Sequence, residues 1–301
     1  MKVQECVLSE DVIAADSAEA ALWHAIVVPE AIKERLRNQT LLSLLVRPDL
    51  PFAMTALHGL CTLYGPPGTG KTTLARGLPA QVAGYVPGGE VRRIEINPHG
   101  LMSAEHGQSQ RRVSELLGEY VPGLAADGMP TVVILDEVES MAVARSAASL
   151  AANPADVHRA TDAVLTALDL NAIEHPHLFF VATSNFTTAL DEAFLSRSDA
   201  AILIPLPEIE ALREILASTL LALADKYPAL EELAHSSAMT FIAEAAHGLD
   251  GRRTRKVVFE ALAQRLNTVL DPGCLTREDL TTAVRNAVAE NGRLEVSDAA
   301  H

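Results

Sequence analysis

From Leu60 onward the chain alternates short apolar runs with longer stretches of helical period. The runs are Leu60 to Tyr64, Arg93 to Ile96, Thr131 to Leu135, Leu178 to Ala182 and Ala201 to Ile204. Several are apolar at nearly every position, the pattern of central strands buried on both faces. The intervals between them are long enough for helices, so the spacing predicts a parallel sheet flanked by helices. After Pro205 and Pro207 the strand signals stop. Leu212, Ile215, Leu216, Leu220 and Leu223 then recur at helical spacing, and a helical pattern continues to about Glu290. Ahead of the first run, Pro29 to Leu45 reads as a helix in which Ile32, Leu36 and Leu42 share an apolar face.

These patterns divide the 301 residues into a leader over 1–50, a large α/β domain over 51–206 and a small all-helical domain over 207–301. The polar residues from Asn291 to His301 are expected to fray. A hydrophobic share of 49% is enough to fill two cores. The 39 acidic against 24 basic side chains leave a net charge of -15, which repels a phosphate backbone and argues against nucleic acid as the main substrate. Neither a signal segment nor an apolar run of membrane-spanning length is seen. Cys6, Cys61 and Cys274 lack metal-ligand spacing and read as buried structural thiols of a reducing compartment. A cytoplasmic protein with no membrane partner is therefore expected.

The most specific chemistry follows the first run. Leu60 to Tyr64 leads into Gly65-Pro66-Pro67-Gly68-Thr69-Gly70-Lys71-Thr72-Thr73, which satisfies G-x-x-x-x-G-K-[ST] between a strand and a helix. Gly65, Gly68 and Gly70 let backbone N–H groups turn inward around phosphate oxygens, and the helix that follows adds its positive N-terminus. Lys71 would supply a charge to the β and γ phosphates. Thr72 would place its hydroxyl on magnesium, and Thr73 would help hold the loop in register. ATP and Mg2+ are the expected ligands.

Thr131 to Leu135 ends in Asp136 and Glu137, two carboxylates at the edge of the sheet where ligands sit in such folds. Asp136 would hold magnesium, and Glu137 would orient and activate the water that attacks the γ-phosphate. The alternative is a pair of acids capping the next helix. Asn185 follows the run Leu178 to Ala182 and could bond the attacking water or a γ-phosphate oxygen, with a turn asparagine as its alternative.

With these residues in place the chain resembles the AAA+ family, and within it the pachytene-checkpoint and thyroid-receptor-interacting type, whose members remodel HORMA-domain proteins. The segments carrying the resemblance are Ile134 to Met141, Pro154 to Arg159 with Ala163 to Thr166, Thr183 to Asn185, Ala193 to Asp199, and Gly248 to Arg252 with Arg255 and Lys256. Together they cover about Trp23 to Arg265. The resemblance implies that Asn185 is the first sensor, Arg252 the second sensor on a helical lid, and Arg197 an arginine finger acting on a neighbouring subunit of a homohexamer. A surface ion pair with Asp199 or Asp191 is the alternative for Arg197. Met102, Glu105 and His106 stand where the family has its first pore loop, without the family's aromatic. A second pore loop is expected across Ala142 to Pro154.

Relatives in eukaryotes carry an N-terminal recruiting domain, and the leader here reads as too short for one. The compact layout is similar to bacterial members that accompany HORMA proteins and a nucleotidyltransferase that makes nucleotide second messengers in anti-phage signalling. The implied activity is ATP-driven opening of a HORMA-domain protein to release its partner. The competing reading is a nucleic-acid loader or transposition ATPase using Arg92, Arg93, Arg111 and Arg112.

Overall fold

The structure, a computed structural model, describes residues 3–97, 101, 108–142, 154–185 and 190–298. The chain separates into two compact units, one made of Met1–Gly65 and Lys71–Ile204, the other of Pro66–Gly70 and Pro205–His301.

The first unit is built on a six-stranded sheet. Its strands are β1 (Val7–Ala14), β2 (Leu60–Tyr64), β3 (Glu90–Ile96), β4 (Thr131–Leu135), β5 (Leu178–Ser184) and β6 (Ala200–Leu203), in the order β1-β3-β4-β5-β2-β6. Its helices are α1 (Ala20–His24), α2 (Glu30–Leu41), α3 (Phe52–Thr55), α4 (Lys71–Ala83), α5 (Gln108–Glu115), α6 (Val121–Leu124), α7 (Pro154–Glu174) and α8 (Glu192–Ser196). Strands β2 to β6 pair in parallel, as the buried apolar runs lead one to expect. The sheet is nevertheless mixed, because β1 joins β3 antiparallel.

No apolar run announces β1. Its centre carries Glu10 and Asp11, and its outward residues Leu8, Glu10 and Val12 are exposed as befits an edge. Pairing makes these acids tolerable. Asp11 lies opposite Arg93 and accepts its Nη2 at 2.7 Å, while Glu10 stands 3.4 Å from Arg92 Nε. The leader is tied to the sheet at its other end too. Buried Arg47 donates through Nη2 to the carbonyls of Pro176, at 2.8 Å, and Leu178.

Alternate residues of each central strand feed opposite faces. Val133, Leu135, Phe180 and Ala182 enter one core with residues of α5 and α7, and Val132, Ile134, Phe179 and Val181 enter the other with Trp23, Leu36, Leu74 and Leu78. Each fully buried large side chain contributes about 1.5–3 kcal/mol. On the second face α1 lies so close to α4 that a Cβ at Gly77 would come within 2.7 Å of the Trp23 backbone nitrogen.

The second unit is helical: α9 (Ile209–Ala224), α10 (Ala229–His235), α11 (Ala238–Ala245), α12 (Gly251–Ala263), α13 (Leu266–Leu270) and α14 (Arg277–Asp298). Leu212, Ile215, Leu216 and Leu220 of α9 are buried. With Leu230, Met239, Ile242, Val257, Val258, Leu280 and Val284, all but Ile215 form a separate core. The last helix runs past Glu290 to Asp298. No proline stops it, and Arg253 of α12 pairs with Glu290 at 2.6 Å to hold that turn in place. Among the described residues, no helix is long and apolar enough to cross a membrane. Cys6 and Cys61 are buried thiols, with burial pushing Cys61 up to about 12, whereas Cys274 is exposed, against the expectation of three buried ones.

Candidate active site

Strands β4, β5 and β2 are neighbours in the sheet, so their carboxyl ends place three loops side by side. β2 leads into Gly65, β4 into Asp136 and Glu137, and β5 ends on Thr183 and Ser184 just before Asn185. Parallel pairing sets this alignment, with Leu135 opposite Ala182 and Tyr64 opposite Ser184.

Gly65 needs to be glycine. Its φ is +143°, and a Cβ there would stand 2.2 Å from the Ile204 carbonyl oxygen. The Gly65 carbonyl accepts from Lys71 Nζ at 2.7 Å, which folds the buried lysine back across the mouth of the loop. Thr72, on the first turn of α4, donates its hydroxyl to Asp136 Oδ1 at 2.7 Å. The Thr183 hydroxyl donates to the same Asp136 oxygen and accepts the Glu137 backbone N–H at 3.1 Å. Thus Asp136 is gripped from helix α4 and from strand β5. Glu137 takes up left-handed backbone, φ 51° and ψ 51°, with its side chain exposed. Such a conformation is uncommon for a residue with a Cβ and often marks a functional turn. At the next turn Glu137 stands at the N-cap position without a side-chain cap hydrogen bond. Asn185 donates its backbone N–H to Glu139 Oε1 at 3.1 Å. Beside the pair, Arg76 of α4 holds the buried carboxylate of Glu95 through Nε at 2.9 Å, and that hydrogen bond raises the arginine's pKa.

The tip of the loop is part of the second unit. Gly68, at φ +76°, turns so tightly against α12 that a Cβ would fall 2.1 Å from Asp250 Oδ1. Its carbonyl accepts the Arg252 backbone N–H at 3.2 Å, and Asp250 caps α12 by accepting from the Arg253 N–H at 2.9 Å. Thr69 bonds the Pro66 carbonyl at 3.0 Å. Arg252 therefore sits at the N-terminus of α12 beside the loop tip, its side chain exposed.

Arg197 is elsewhere. The segment following it pairs with the start of β2, where the Asp199 N–H donates to the Leu60 carbonyl at 2.8 Å and the Asp199 carboxylate accepts from the N–H groups of His58 and Gly59, each at 2.8 Å. The phosphate loop leaves the other end of that strand. β2 has five residues, so at about 3.3 Å per step its first and last residues stand roughly 13 Å apart. Of the two acids expected for Arg197, Asp191 acts on it through its charge, and the guanidinium fork itself meets a third carboxylate. The partner is Asp169 of α7, met by Nε at 2.7 Å and Nη2 at 2.8 Å.

Sequence reasoning assigned no role to Thr183, Glu139, Asp169 or Asp250, although these orient the residues it did name. Thr183 was legible as the first of two polar residues, with Ser184, ending a strand that is otherwise apolar; Asp169, far along a helix, gave no signal. Met102, Glu105 and His106 lie outside the described residues, as does nearly all of Ala142 to Pro154. Two of the four arginines in the basic cluster are buried and ion-paired, while Arg111 is exposed. Arg92 and Arg93 are each 9% exposed, with Arg92 bound to Asp127 at 2.7 Å and Arg93 to Asp11 at 2.7 Å. Among the described residues no group of three or more His, Cys, Asp or Glu is placed to hold a metal ion. The hydroxyl of Thr72 and the carboxylate of Asp136 nevertheless suit a hard divalent cation completed by phosphate and water.

Residues 61–206 match the ATPase family associated with various cellular activities (AAA). The chain is 46% identical over 272 residues to CD-NTase-associated protein 6 of Pseudomonas aeruginosa, spanning 90% of this chain and 89% of that one. It is 29% identical over 298 residues to the pachytene checkpoint protein 2 homolog of Danio rerio, spanning 92% of this chain and 69% of the relative. Among solved structures, PCH-2 of C. elegans superposes with a TM-score of 0.73 at 22% identity, covering 95% of this chain and 76% of that chain. A chain of the E. coli MS115-1 HORMA:CdnC:Trip13 complex gives the same score of 0.73 at 18% identity, covering 94% and 96%. Those two likenesses establish the shared fold. From the sequence matches, the chain belongs to the AAA ATPases, in the group that includes CD-NTase-associated protein 6 and the pachytene checkpoint protein 2 homologs.

Proposed function

We propose that this ATPase works as a hexameric ring that opens a HORMA-domain protein and so frees its bound partner, a nucleotidyltransferase of bacterial anti-phage signalling. The 46% identity to a CD-NTase-associated protein supports the setting, and the fold shared with a chain of a HORMA:CdnC:Trip13 complex supports the partners. A cytoplasmic location fits buried thiols left unpaired in Cys6 and Cys61.

One observation carries the chemical part of the reading: Thr72, Asp136 and Thr183 form a hydrogen-bonded chain that ends on the backbone of Glu137. In this reading Lys71 and the N–H groups from Gly65 to Thr73, with Pro66 and Pro67 shaping the turn, bind the phosphates. Thr72 and Asp136 hold magnesium, which when bound neutralises charge on the phosphate oxygens. Glu137, exposed at a strained turn, orients and deprotonates the attacking water, and Asn185 fixes its direction. Arg252 reports the γ-phosphate from the loop tip. Arg197, a strand's length from the loop of its own chain, serves the nucleotide of the next subunit. Met102, Glu105 and His106 contact the threaded substrate.

The deciding experiment traps the ring. Glu137→Gln should bind ATP with magnesium and retain substrate without turnover. A pull-down with that variant from native cell extract should recover a HORMA-fold protein. Recovery of nucleic acid instead, or wild-type ATPase in Glu137→Gln, would overturn the reading. His106→Ala or Glu105→Ala should weaken remodelling while sparing basal hydrolysis.

A further inference from the structure

The Arg197 side chain is held by more than its own backbone. Its Nε and Nη2 form a two-pronged pair with the Asp169 carboxylate at 2.7 and 2.8 Å, and Nη1 donates to the Ala193 carbonyl at 2.9 Å. Among the described residues these contacts use three of the five N–H groups of the guanidinium, leaving one on each terminal nitrogen for another acceptor. Asp169 is anchored in turn. His58 Nε2 lies 3.3 Å from its Oδ1, and the His58 ring stacks edge-on against Phe52 with centroids 5.1 Å apart.

We propose that Asp169 is a positioning residue for Arg197, fixing the guanidinium plane so that its two remaining N–H groups face the nucleotide of a neighbouring copy. The inference rests on the trans role given to Arg197 above. A carboxylate that meets both prongs of the fork sets the orientation of the plane, which a single contact would leave free to rotate. Pre-ordering matters because a long side chain that must be immobilised at the moment of reaction contributes less to turnover.

The surroundings suit a meeting with another copy better than a purely internal brace. The Asp169 side chain is 41% exposed and that of Arg197 22%, and exposed pairs contribute little to folding stability. On the same helix as Asp169, Leu170 and Ile173 remain 48% and 60% exposed, large apolar groups beside the pair with nothing of this chain's described residues over them. The pair is also well formed electrostatically, since the hydrogen bond to Arg197 holds the Asp169 carboxyl below the usual carboxylate range.

Steady-state hydrolysis of ATP with magnesium by the full chain tests this in four variants: Arg197→Ala, Asp169→Ala, Asp169→Asn and the Arg197→Ala/Asp169→Ala double. Asp169→Ala should lower kcat about tenfold with KM, ADP affinity and thermal unfolding unchanged. Asp169→Asn keeps one acceptor and should fall between it and wild type. In the Arg197→Ala background the second substitution should lower turnover no further, because both changes remove one function. A merely structural Asp169 would shift unfolding and KM and act multiplicatively in the double variant. Unchanged or raised kcat in Asp169→Ala, with Arg197→Ala inactive, would overturn this inference alone. Full activity in Arg197→Ala would instead remove the finger role on which it stands.

Discussion

The hydroxyl of Thr183 donates to the carboxylate of Asp136 while accepting the backbone N–H of Glu137. One side chain at the end of β5 thereby sets two consecutive residues at the end of β4. Thr183→Val keeps the shape and removes the bridge. Taking away one of the two donors to Asp136 Oδ1, Thr72 keeping the other, and releasing the Glu137 N–H should cost about 1–3 kcal/mol, felt as a fall in kcat on the order of tenfold or more with little change in ATP affinity. Parallel ATPase kinetics and nucleotide titration decide it. Undiminished kcat would mean that the strained turn at Glu137 holds itself.

Gly68→Ala should act on binding instead. The positive φ of +76° disfavours any Cβ, and the new methyl would meet the Asp250 carboxylate that caps α12. A strain of about 1–3 kcal/mol is expected from the backbone, and the loop tip would shift to relieve the collision. Affinity for a fluorescent ATP analogue should fall at least tenfold. Adding Asp250→Ala should recover only part of it, because the backbone strain stays. Full recovery would assign the whole effect to the collision.

A pH effect should come from the N-terminal edge of the sheet. His177, hydrogen-bonded through Nε2 to the Ala125 carbonyl at 2.9 Å, has its pKa lowered from the ordinary 6.5, first by burial. The folded state thus favours the neutral ring more than the unfolded state does. Its contribution is complete above about pH 6.5 and is lost as pH falls through the depressed folded value, where the unfolded chain binds the extra proton. Urea unfolding between pH 7.5 and 5 should show wild type losing more stability than His177→Gln, which cannot titrate. Parallel curves would place the acid sensitivity in other groups.

Much of this protein is local in origin. The apolar runs from Leu60 to Ala182 announced buried strands because parallel strands covered on both faces have no room for polar residues. The phosphate loop was legible because its glycines, lysine and threonine are consecutive. Asp136 and Glu137 were legible because two acids ending an apolar run stand out. β1 escaped because its acids are compensated only by Arg92 and Arg93, which lie some eighty residues away along the chain (Asp11 to Arg93).

What the sequence by itself determined was the chemistry available: a strand, a glycine-rich turn and a helix in one stretch, and two carboxylates in another. Each is specified by neighbours in the chain, so spacing alone exposes it. The tertiary structure decided how these pieces act together. Strand order made β4, β5 and β2 adjacent, which put Thr72, Asp136 and Thr183 within one hydrogen-bonded chain. The same order carried Arg197 to the opposite end of β2 and brought its fork onto the carboxylate of Asp169. Pairings of that kind depend on which strands lie side by side and on where a helix crosses them, and no local spacing encodes either.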